Sequence, residues 1–187
     1  MSPSATEYVV LLDEDGRPCG RADKATVHDH ETRLHLAFSC WLLDGHNRTL
    51  LTRRASTKST WPLVWTNSFC GHPAPGENPA DAVLRRGRQE LGVEVRDLRV
   101  VLPGFRYSAR MSNGITENEI CPVFLGSPSG TLAPDAAEVD SLSWVELVAL
   151  PHLVEADPER FSPWLRLQLA QLLPVIGRHT DAVPPRA

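Results

Sequence analysis

Two glutamates, Glu117 and Glu119, lie two residues apart in a segment that alternates along the chain like a β-strand. In such a strand both carboxylates project to the same face of the sheet. Two like charges at a half-buried position are costly unless a cation holds them, so the pair indicates a metal site. An exposed face of the sheet would accommodate the same two glutamates without a metal.

Three histidines could supply further metal ligands. His28 falls in a polar loop, His35 in a candidate strand, and His72 directly after Cys70 and Gly71. A single histidine on a strand is more often a core residue than a ligand. Three imidazoles together with carboxylate oxygens, however, suit a divalent ion such as Mn²⁺, Zn²⁺ or Mg²⁺. We therefore expect a His/Glu site that binds one of these ions.

A charged pair on a predicted helix extends the set of candidates. Arg86 and Glu90 are four residues apart and share a helix face, where a solvated salt bridge is the simplest interpretation. The surrounding residues resemble the Nudix box, a loop–helix–loop that binds metal and diphosphate: Gly71, Glu77, Arg85 and the run Gln89–Val93. Arg86 and Gln89 occupy positions where that box has glutamates. The resemblance therefore implies a Nudix scaffold whose metal-assisted hydrolysis is lost.

Four longer stretches resemble type I isopentenyl-diphosphate Δ-isomerase, in the same order and with the same spacing: Thr32–Ser39, Trp61–Pro73, Phe105–Tyr107 and Glu117–Phe124. The similarity extends from about Tyr8 to Arg178. It implies an α/β fold of the Nudix type, an α/β/α sandwich in which helices flank a mixed sheet. It also implies an enzyme that converts isopentenyl diphosphate into dimethylallyl diphosphate for isoprenoid biosynthesis.

By this resemblance Cys70 and Glu119 are the catalytic pair, on opposite sides of the substrate. The alkene of the substrate is unactivated, so one group must protonate its terminal carbon while another removes an allylic proton. The reaction then passes through a tertiary carbocation-like state, which the aromatic face of Trp164 would stabilise. Tyr107 matches the tyrosine that hydrogen-bonds the catalytic carboxylate. The direction in which each of the pair acts stays open.

The resemblance also implies the ligands of two metal ions and the contacts of the diphosphate. The first ion would be bound at the His/Glu site by His28, His35, His72, Glu117 and Glu119. A Mg²⁺ ion bound with the diphosphate would use Glu90 and the carbonyl of Cys70. The positive charge that the diphosphate requires would come from Lys24, Arg54, Lys58 and Arg86. A carboxylate in place of Arg86 would repel the substrate.

The first half of the chain predicts strands and one helix. The apolar run Tyr8–Leu12 and the turn residues Asp13–Gly16 indicate a hairpin. Arg33–Leu43 is typical of one buried strand. A loop rich in Trp, Ser and Thr is expected over Ala55–Pro75. The helix that follows has Asn78 as its cap and ends at Gly92.

The second half predicts further strands at Val93–Leu102, Ile115–Phe124 and Leu142–Val145. A final amphipathic helix opens at Pro163, with an apolar side formed by Leu165, Leu169, Leu172 and Leu173. We expect a single domain over residues 1–187, with a Nudix-like core at about 33–168. Residues 179–187 are polar and contain proline, which predicts a mobile tail.

The composition is that of an ordinary globular protein. Hydrophobic residues make up 42% and charged residues 22% of the chain, and the formal net charge of −4 argues against nucleic-acid binding. The first residues lack the pattern of a signal peptide, and no apolar run reaches the roughly 20 residues that cross a bilayer. We therefore expect a cytoplasmic monomer or weak dimer with free cysteines, whose partner is a small-molecule substrate.

Two other functions compete with the isomerase. A Nudix hydrolase would keep the fold but attack phosphorus, and the altered box and a cysteine in the loop argue against it. A non-catalytic binding module would hold a structural zinc, but structural zinc sites are usually rich in cysteine. Such a module would also give no role to Cys70, Tyr107 and Trp164.

Overall fold

The computed structural model describes residues 6–180, with side chains up to Ile176. Among these residues twelve strands form three hydrogen-bonded sheets, and three α-helices accompany them. The strands are β1 Tyr8–Leu12, β2 Pro18–Asp23, β3 His35–Leu36, β4 Phe38–Leu42, β5 Arg48–Arg54, β6 Trp65–Thr66, β7 Phe69–Gly71, β8 Glu94–Leu102, β9 Arg106–Arg110, β10 Thr116–Ile120, β11 Val123–Ser129 and β12 Val139–Glu146. The helices are α1 Pro79–Leu91, α2 Leu150–Ala156 and α3 Pro163–Thr180.

Two of the three sheets contain both parallel and antiparallel pairs, as the expected mixed sheet requires. The first has the strand order β2-β1-β3-β10-β9, the second β7-β4-β11-β8, and the third β12-β5-β6. Strand β3 runs parallel to β10, and β4 runs parallel to β11, whereas the other pairs are antiparallel. The predicted hairpin of β1 and β2 is confirmed, with Gly16 at a positive φ of 79° in its turn.

Two long predicted strands are each divided in the structure. The run Arg33–Leu43 forms β3 and β4 on either side of Ala37, and Ile115–Phe124 forms β10 and β11 on either side of Pro122. Proline has no N–H to continue a ladder, so Pro122 ends the pairing at this point. The prediction of one continuous strand was therefore wrong in both places. The divided strands connect the first sheet with the second.

Helix α1 begins and ends where its cap residues predict. The Asn78 side chain accepts a hydrogen bond of 2.8 Å from the Ala80 N–H, and Pro79 occupies the first turn. Gly92 ends the helix in the left-handed conformation, with φ of 69°. The helix buries one side of itself, including the charged residues Arg86 and Glu90.

The hydrophobic core lies on both faces of the sheet that contains β4. Phe38 and Cys40 pack on one face with residues of α1, and Trp41 packs on the other face with residues of α3. Leu165, Leu169 and Leu172 of α3 are buried as predicted, whereas Leu173 is only partly buried at the edge of this cluster. Helices thus cover both faces of a mixed sheet, which confirms the α/β fold class.

Some elements were not predicted from the sequence. The segment Ala55–Pro75, expected as a loop, contains the short strands β6 and β7. Helix α2 was missed because it has only seven residues. The predicted tail 179–187 begins within α3, whose backbone continues to Thr180, and residues 181–187 lie outside the described part of the chain.

The described residues 6–180 contain no helix that is both long and apolar enough to cross a membrane. The four cysteines, Cys19, Cys40, Cys70 and Cys121, are free thiols, as expected from their spacing.

Candidate active site

One cavity of about 130 Å³ brings together side chains from most of the elements of the fold. Its lining includes every site residue that the sequence predicted except His35: Lys24, His28, Arg54, Lys58, Cys70, His72, Arg86, Glu90, Tyr107, Glu117, Glu119 and Trp164. His35 is fully buried, with its imidazole close to Glu119. The predicted residues are therefore neighbours in space, although they span most of the sequence.

Strand pairing places three of these side chains next to one another. Glu119 on β10 is the register partner of His35 on β3 and of Tyr107 on β9. Register partners in adjacent strands point to the same face of the sheet. The imidazole, carboxyl and phenol therefore lie side by side across three strands. Glu117, two residues before Glu119, projects to the same face, as the alternation predicted.

Three imidazoles surround one oxygen of Glu119. Its Oε1 atom lies 3.2 Å from His72 Nε2, 3.3 Å from His35 Nε2 and 3.7 Å from His28 Nε2. One ligand atom from each of the four residues falls within 4.8 Å of all the others. This spacing is compatible with four ligands of a single divalent ion.

The hydrogen bonds of the imidazoles test whether this group suits a metal. His35 Nδ1 lies 2.9 Å from the Arg33 carbonyl, so it carries the proton and Nε2 keeps its lone pair for a ligand. The Nε2 atoms of His28 and His35, which face Glu119, are buried without a hydrogen-bond partner. His72 faces Glu119 through Nε2 at 3.2 Å, and it is the Nδ1 atom of this ring that is buried without a partner. Buried nitrogens normally have partners, so nitrogens left without one beside a carboxylate fit a metal site.

Glu117 lies outside the group of four. Its Oε2 accepts a hydrogen bond of 2.7 Å from the Tyr107 hydroxyl, which also lies 2.9 Å from Glu119 Oε2. Burial and the neighbouring charge of Glu119 raise the pKa of Glu117. The structure thus places Glu117 at the tyrosine, and its role as a metal ligand stays a prediction.

The two glutamates differ in their electrostatic surroundings. Burial opposes the ionisation of Glu119, but the contacts with the three imidazoles outweigh it and hold its pKa well below the usual range. Burial lowers the pKa of His72 to about 4. Burial also lowers the pKa of His35, but the Glu119 carboxyl, whose Oε1 lies 3.3 Å from Nε2, outweighs this effect and the net shift of the pKa is upward. The pKa values of the two carboxyls are therefore shifted in opposite directions, that of Glu117 upward and that of Glu119 downward.

Cys70 extends from β7 into the cavity. Its sulfur lies 3.3 Å from Ser39 Oγ and 3.3 Å from the amide oxygen of Asn67. Burial raises the pKa of the Cys70 thiol to about 12, so the side chain keeps its proton at neutral pH. A thiol that keeps its proton is a poor nucleophile, because the thiolate is the reactive form.

Trp164 forms an aromatic wall of the cavity at the start of α3. Its ring meets that of Trp61 edge-on at a centroid distance of 5.5 Å and lies 5.9 Å from the ring of Tyr107. The guanidinium carbon of Arg54 lies 5.4 Å from the centre of the Trp164 ring. The Arg54 guanidinium is therefore within range of a cation-π contact with the Trp164 ring, and the role of this ring towards a carbocation stays a prediction.

A network of charges occupies another part of the same cavity. Arg86 is buried and contacts Glu90 at 2.7 Å and Glu138 at 3.0 Å, and Lys58 contacts Glu138 at 2.5 Å. The solvated salt bridge first considered for Arg86 and Glu90 is therefore wrong, because both side chains are buried. Glu138 was not predicted, since an acidic residue before a strand gives no signal of a partner 52 residues away.

Two further ion pairs border the site. Lys24 contacts Glu7 at 2.5 Å at the edge of the cavity. Arg85 binds Glu77 through two hydrogen bonds of 2.8 Å and donates a third, of 3.3 Å, to the carbonyl of His72. The pair retained from the Nudix box therefore holds the loop that carries His72 against helix α1.

The sequence pattern of the family described as NUDIX domain matches residues 33–165. The isopentenyl-diphosphate Delta-isomerase of Paenarthrobacter aurescens (strain TC1) is 54% identical over 170 residues, covering 91% of this chain and 92% of that protein. That of Agromyces mediolanus is 55% identical over 179 residues, covering 96% of this chain and 86% of that protein.

Solved structures of low sequence identity share the fold. The protein DR0079 from Deinococcus radiodurans has a TM-score of 0.63 and 19% identity, covering 81% of this chain and 90% of that one. A MutT NUDIX hydrolase from Burkholderia pseudomallei has a TM-score of 0.58 and 21% identity, covering 74% and 98%. The two solved structures confirm the Nudix-like fold. The relatives at 54% and 55% identity show to which family with this fold the chain belongs. The chain belongs to the isopentenyl-diphosphate Delta-isomerase family, within the NUDIX fold.

Proposed function

We propose that this chain is an isomerase that converts isopentenyl diphosphate into dimethylallyl diphosphate for isoprenoid biosynthesis. The relatives at 54% and 55% identity carry the name of that enzyme, and the match covers 92% and 86% of their length. The observation that carries the proposal is one cavity lined by a thiol, a carboxyl, an aromatic wall and a cluster of cations. Each of these groups meets one requirement of the reaction.

Cys70 and Glu119 would exchange protons with the substrate. The double bond moves when one group gives a proton to the terminal carbon and the other takes one from the allylic carbon. One of the pair must therefore be protonated and the other unprotonated before each turnover. After the reaction both states are reversed, so protons must return through exchange with water. Tyr107, whose one hydroxyl hydrogen is shared between Glu117 Oε2 at 2.7 Å and Glu119 Oε2 at 2.9 Å, would keep the Glu119 carboxyl in place.

Trp164 would stabilise the carbocation-like state. That state carries a positive charge on carbon, which cannot accept a hydrogen bond but is attracted to the face of an aromatic ring. The indole is buried and packed between Trp61 and Tyr107, so it is held rigidly. The buried ring also excludes water, which would otherwise trap the cation.

The cationic residues would bind the diphosphate. Arg54, Lys58 and Arg86 line the cavity, and Arg86 is the most buried of the three. Charge-assisted hydrogen bonds from guanidinium and ammonium groups to phosphate oxygens are among the strongest in proteins. Lys24 would contribute a fourth positive charge at the edge of the cavity.

Two metal ions would complete the site. Mn²⁺, Zn²⁺ or Mg²⁺ would be held by His28, His35, His72 and Glu119, with Glu117 as a fifth ligand, and Mg²⁺ by Glu90 and the Cys70 carbonyl. The first ion would fix and polarise the catalytic carboxyl, and the second would neutralise charge on the diphosphate. The first site is supported by the close grouping of four ligand atoms and by the two Nε2 atoms, of His28 and His35, that lack a hydrogen-bond partner.

Hydrolysis of a diphosphate is the second function that this fold could support. Such catalysis relies on carboxylates that hold metal ions and activate water. In this chain Arg86 takes one of those positions and is buried between Glu90 and Glu138. This replacement favours the isomerase.

A direct assay separates these functions. The purified protein, supplied with Mg²⁺ and Mn²⁺, is incubated with isopentenyl diphosphate and followed by proton NMR and by a phosphate assay. We expect the vinyl signals to be replaced by two allylic methyl signals without release of phosphate. Unchanged vinyl signals with released phosphate would contradict the isomerase and support the hydrolase. The expected cytoplasmic location and the monomeric or weakly dimeric state stay predictions.

A further inference from the structure

Asn67 lies between Cys70, proposed for proton transfer, and the indole of Trp164, proposed to face the carbocation. The residue is fully buried in the turn between β6 and β7. Its amide nitrogen donates two hydrogen bonds of 2.9 Å, to the carbonyls of Cys40 and Phe69. Carbonyl oxygens only accept, so these two bonds fix the side-chain amide in one orientation. Its oxygen Oδ1 must therefore face the opposite way.

Three donors converge on that oxygen. The indole N–H of Trp164 donates to Asn67 Oδ1 at 3.0 Å, and the Thr66 hydroxyl donates at 2.9 Å. The thiol of Cys70 donates to the same atom with a sulfur–oxygen distance of 3.3 Å. One buried oxygen thus binds both the sulfur proposed for proton transfer and the ring proposed to face the carbocation.

A second chain of hydrogen bonds holds the sulfur from the other side. The Trp41 indole donates to Gln168, and the Gln168 amide donates to Ser39, both at 2.8 Å. Ser39 Oγ lies 3.3 Å from the Cys70 sulfur. Because the thiol hydrogen points to Asn67, the Ser39 hydroxyl must be the donor in this contact. The sulfur is therefore held between one donor and one acceptor.

We propose that Asn67 is a positioning residue of the isomerase, which fixes the Cys70 thiol and the Trp164 indole relative to each other through Oδ1. The inference depends on the proposed function. The reaction requires the sulfur to reach one carbon while the ring faces the same part of the substrate. A misplacement of about 1 Å in such a geometry can cost about 100-fold in rate. Asn67 does not line the cavity, so it would act only through its two partners.

A purely structural role for Asn67 would predict a different outcome, and the neighbouring Ser68 provides the matched control. Ser68 is also fully buried, and its hydroxyl accepts from the Leu42 N–H and donates to the Leu50 carbonyl, both at 2.7 Å. These bonds tie the same turn to the core without reaching Cys70 or Trp164. Loss of the Ser68 hydroxyl should therefore reduce stability and leave the catalytic geometry intact.

The first experiment compares the variants Asn67→Ala and Ser68→Ala in rate and stability. We expect N67A to lower kcat, per folded protein, by about 10- to 100-fold with little change in KM, because the cations that bind the diphosphate are untouched. S68A should lower the midpoint of urea unfolding and keep the wild-type kcat. Equal kcat losses in the two variants, or a loss in N67A that appears in KM alone, would overturn the proposal.

The second experiment observes the indole directly, without any turnover. The protein is labelled with ¹⁵N-tryptophan, and the Trp164 indole resonance is assigned with the variant Trp164→Phe. We expect the resonance to shift upfield in N67A and to stay in place in S68A. An unchanged resonance in N67A would overturn the inference. Since the shift is independent of activity, an inactive wild-type protein would contradict the proposed function instead.

The isosteric variant Asn67→Asp covers the case in which N67A does not fold. It keeps an acceptor oxygen of the same shape near Cys70 and Trp164 but loses the two donors to backbone carbonyls. We expect it to keep the Trp164 indole resonance close to its wild-type position and a larger part of kcat than N67A. An aspartate variant that folds yet shifts the resonance upfield would overturn the proposal.

Discussion

The hydroxyl of Tyr107 lies 2.9 Å from Oε2 of Glu119, while the other oxygen of the same carboxyl, Oε1, faces three imidazoles. The two oxygens of one carboxyl therefore have different partners. Oε2 faces the hydroxyl of Tyr107, a proton donor, and Oε1 faces the imidazoles of the candidate metal site. A bound ion at Oε1 would leave Oε2 for the tyrosine. This division explains how a single carboxyl could bind a metal and take part in proton transfer.

The variant Tyr107→Phe removes the hydroxyl and keeps the ring that packs on Trp164. We expect kcat to fall by about 100-fold, because the carboxyl loses the donor that orients it for proton transfer. The metal content should stay at the wild-type ratio, since the four grouped ligand residues are His28, His35, His72 and Glu119, and Tyr107 contacts only Oε2 of Glu119 and Glu117 outside that group. Metal analysis of the purified variant, together with the NMR assay, checks both. Loss of the metal with the hydroxyl would show that the two oxygens do not act separately.

Removal of one imidazole tests whether the His/Glu site binds a metal ion. In the variant His72→Ala we expect the affinity for Mn²⁺ or Zn²⁺ to fall by at least about 100-fold, because even partners outside the ligand shell cost 10- to 100-fold. The matched control is His30→Ala, since His30 is exposed and lies outside the group of four. Competition with a coloured chelator measures both affinities. Equal affinities in the two variants would place the metal elsewhere.

Two adjacent arginines on β5 allow a direct contact with the diphosphate to be distinguished from a general effect of positive charge. Arg54 lines the cavity, whereas Arg53 lies near Asp140 and the Leu63 carbonyl outside it. In Arg54→Gln we expect KM for isopentenyl diphosphate to rise by about 10- to 100-fold, the value of one charge-assisted hydrogen bond. Arg53→Gln removes the same charge and should keep the wild-type KM. Similar KM values for the two variants would argue against Arg54 as a diphosphate contact.

The pair of Glu77 and Arg85 predicts a dependence of stability on pH. The hydrogen bonds from Arg85 are the main reason that the pKa of Glu77 is lowered in the folded protein. A carboxyl with a depressed folded pKa stabilises the fold above its unfolded pKa of about 4.3, and the contribution is lost as the pH falls through the folded pKa. In Glu77→Gln the unfolding free energy at pH 7 should decrease by about 1–2 kcal/mol.

Urea unfolding of this variant at several pH values provides the measurement. The difference between wild type and Glu77→Gln should be constant from pH 6 to 7 and shrink as the pH falls below about 4.3. The control is Glu94→Gln, which breaks the exposed pair with Arg88 and should change stability by less than about 0.5 kcal/mol. If the difference in unfolding free energy between wild type and Glu77→Gln does not depend on pH, the lowered pKa of Glu77 is not its cause.

The sequence predicted the parts of the fold that depend on local signals. Asn78 and Gly92 define α1 because caps act within a few residues, and the alternation around Glu117 and Glu119 predicts their common face. The division of the strand at Pro122 was missed, although proline lacks the N–H that a ladder needs. The short strands β6 and β7 exist only through partners distant in the chain, which no local pattern contains.

The site was predicted mainly through resemblance, and its supporting residues were not. Asn67, Ser39 and Gln168 are buried polar residues whose roles depend on partners up to 129 residues away. A polar residue in a core segment shows only that it needs a hydrogen bond and leaves the partner unspecified. Glu138 was missed for the same reason, since its two cationic partners become visible only in the folded chain.

Proton exchange with water during the reaction is the most direct test of the central claim. The wild-type protein, loaded with Mn²⁺ and Mg²⁺, is incubated with isopentenyl diphosphate in deuterated buffer, and the product is analysed by proton and deuterium NMR. We expect dimethylallyl diphosphate with deuterium in a methyl group, because the proton added to the terminal carbon comes from a side chain that exchanges with solvent. Product without deuterium would contradict proton addition and removal by Cys70 and Glu119.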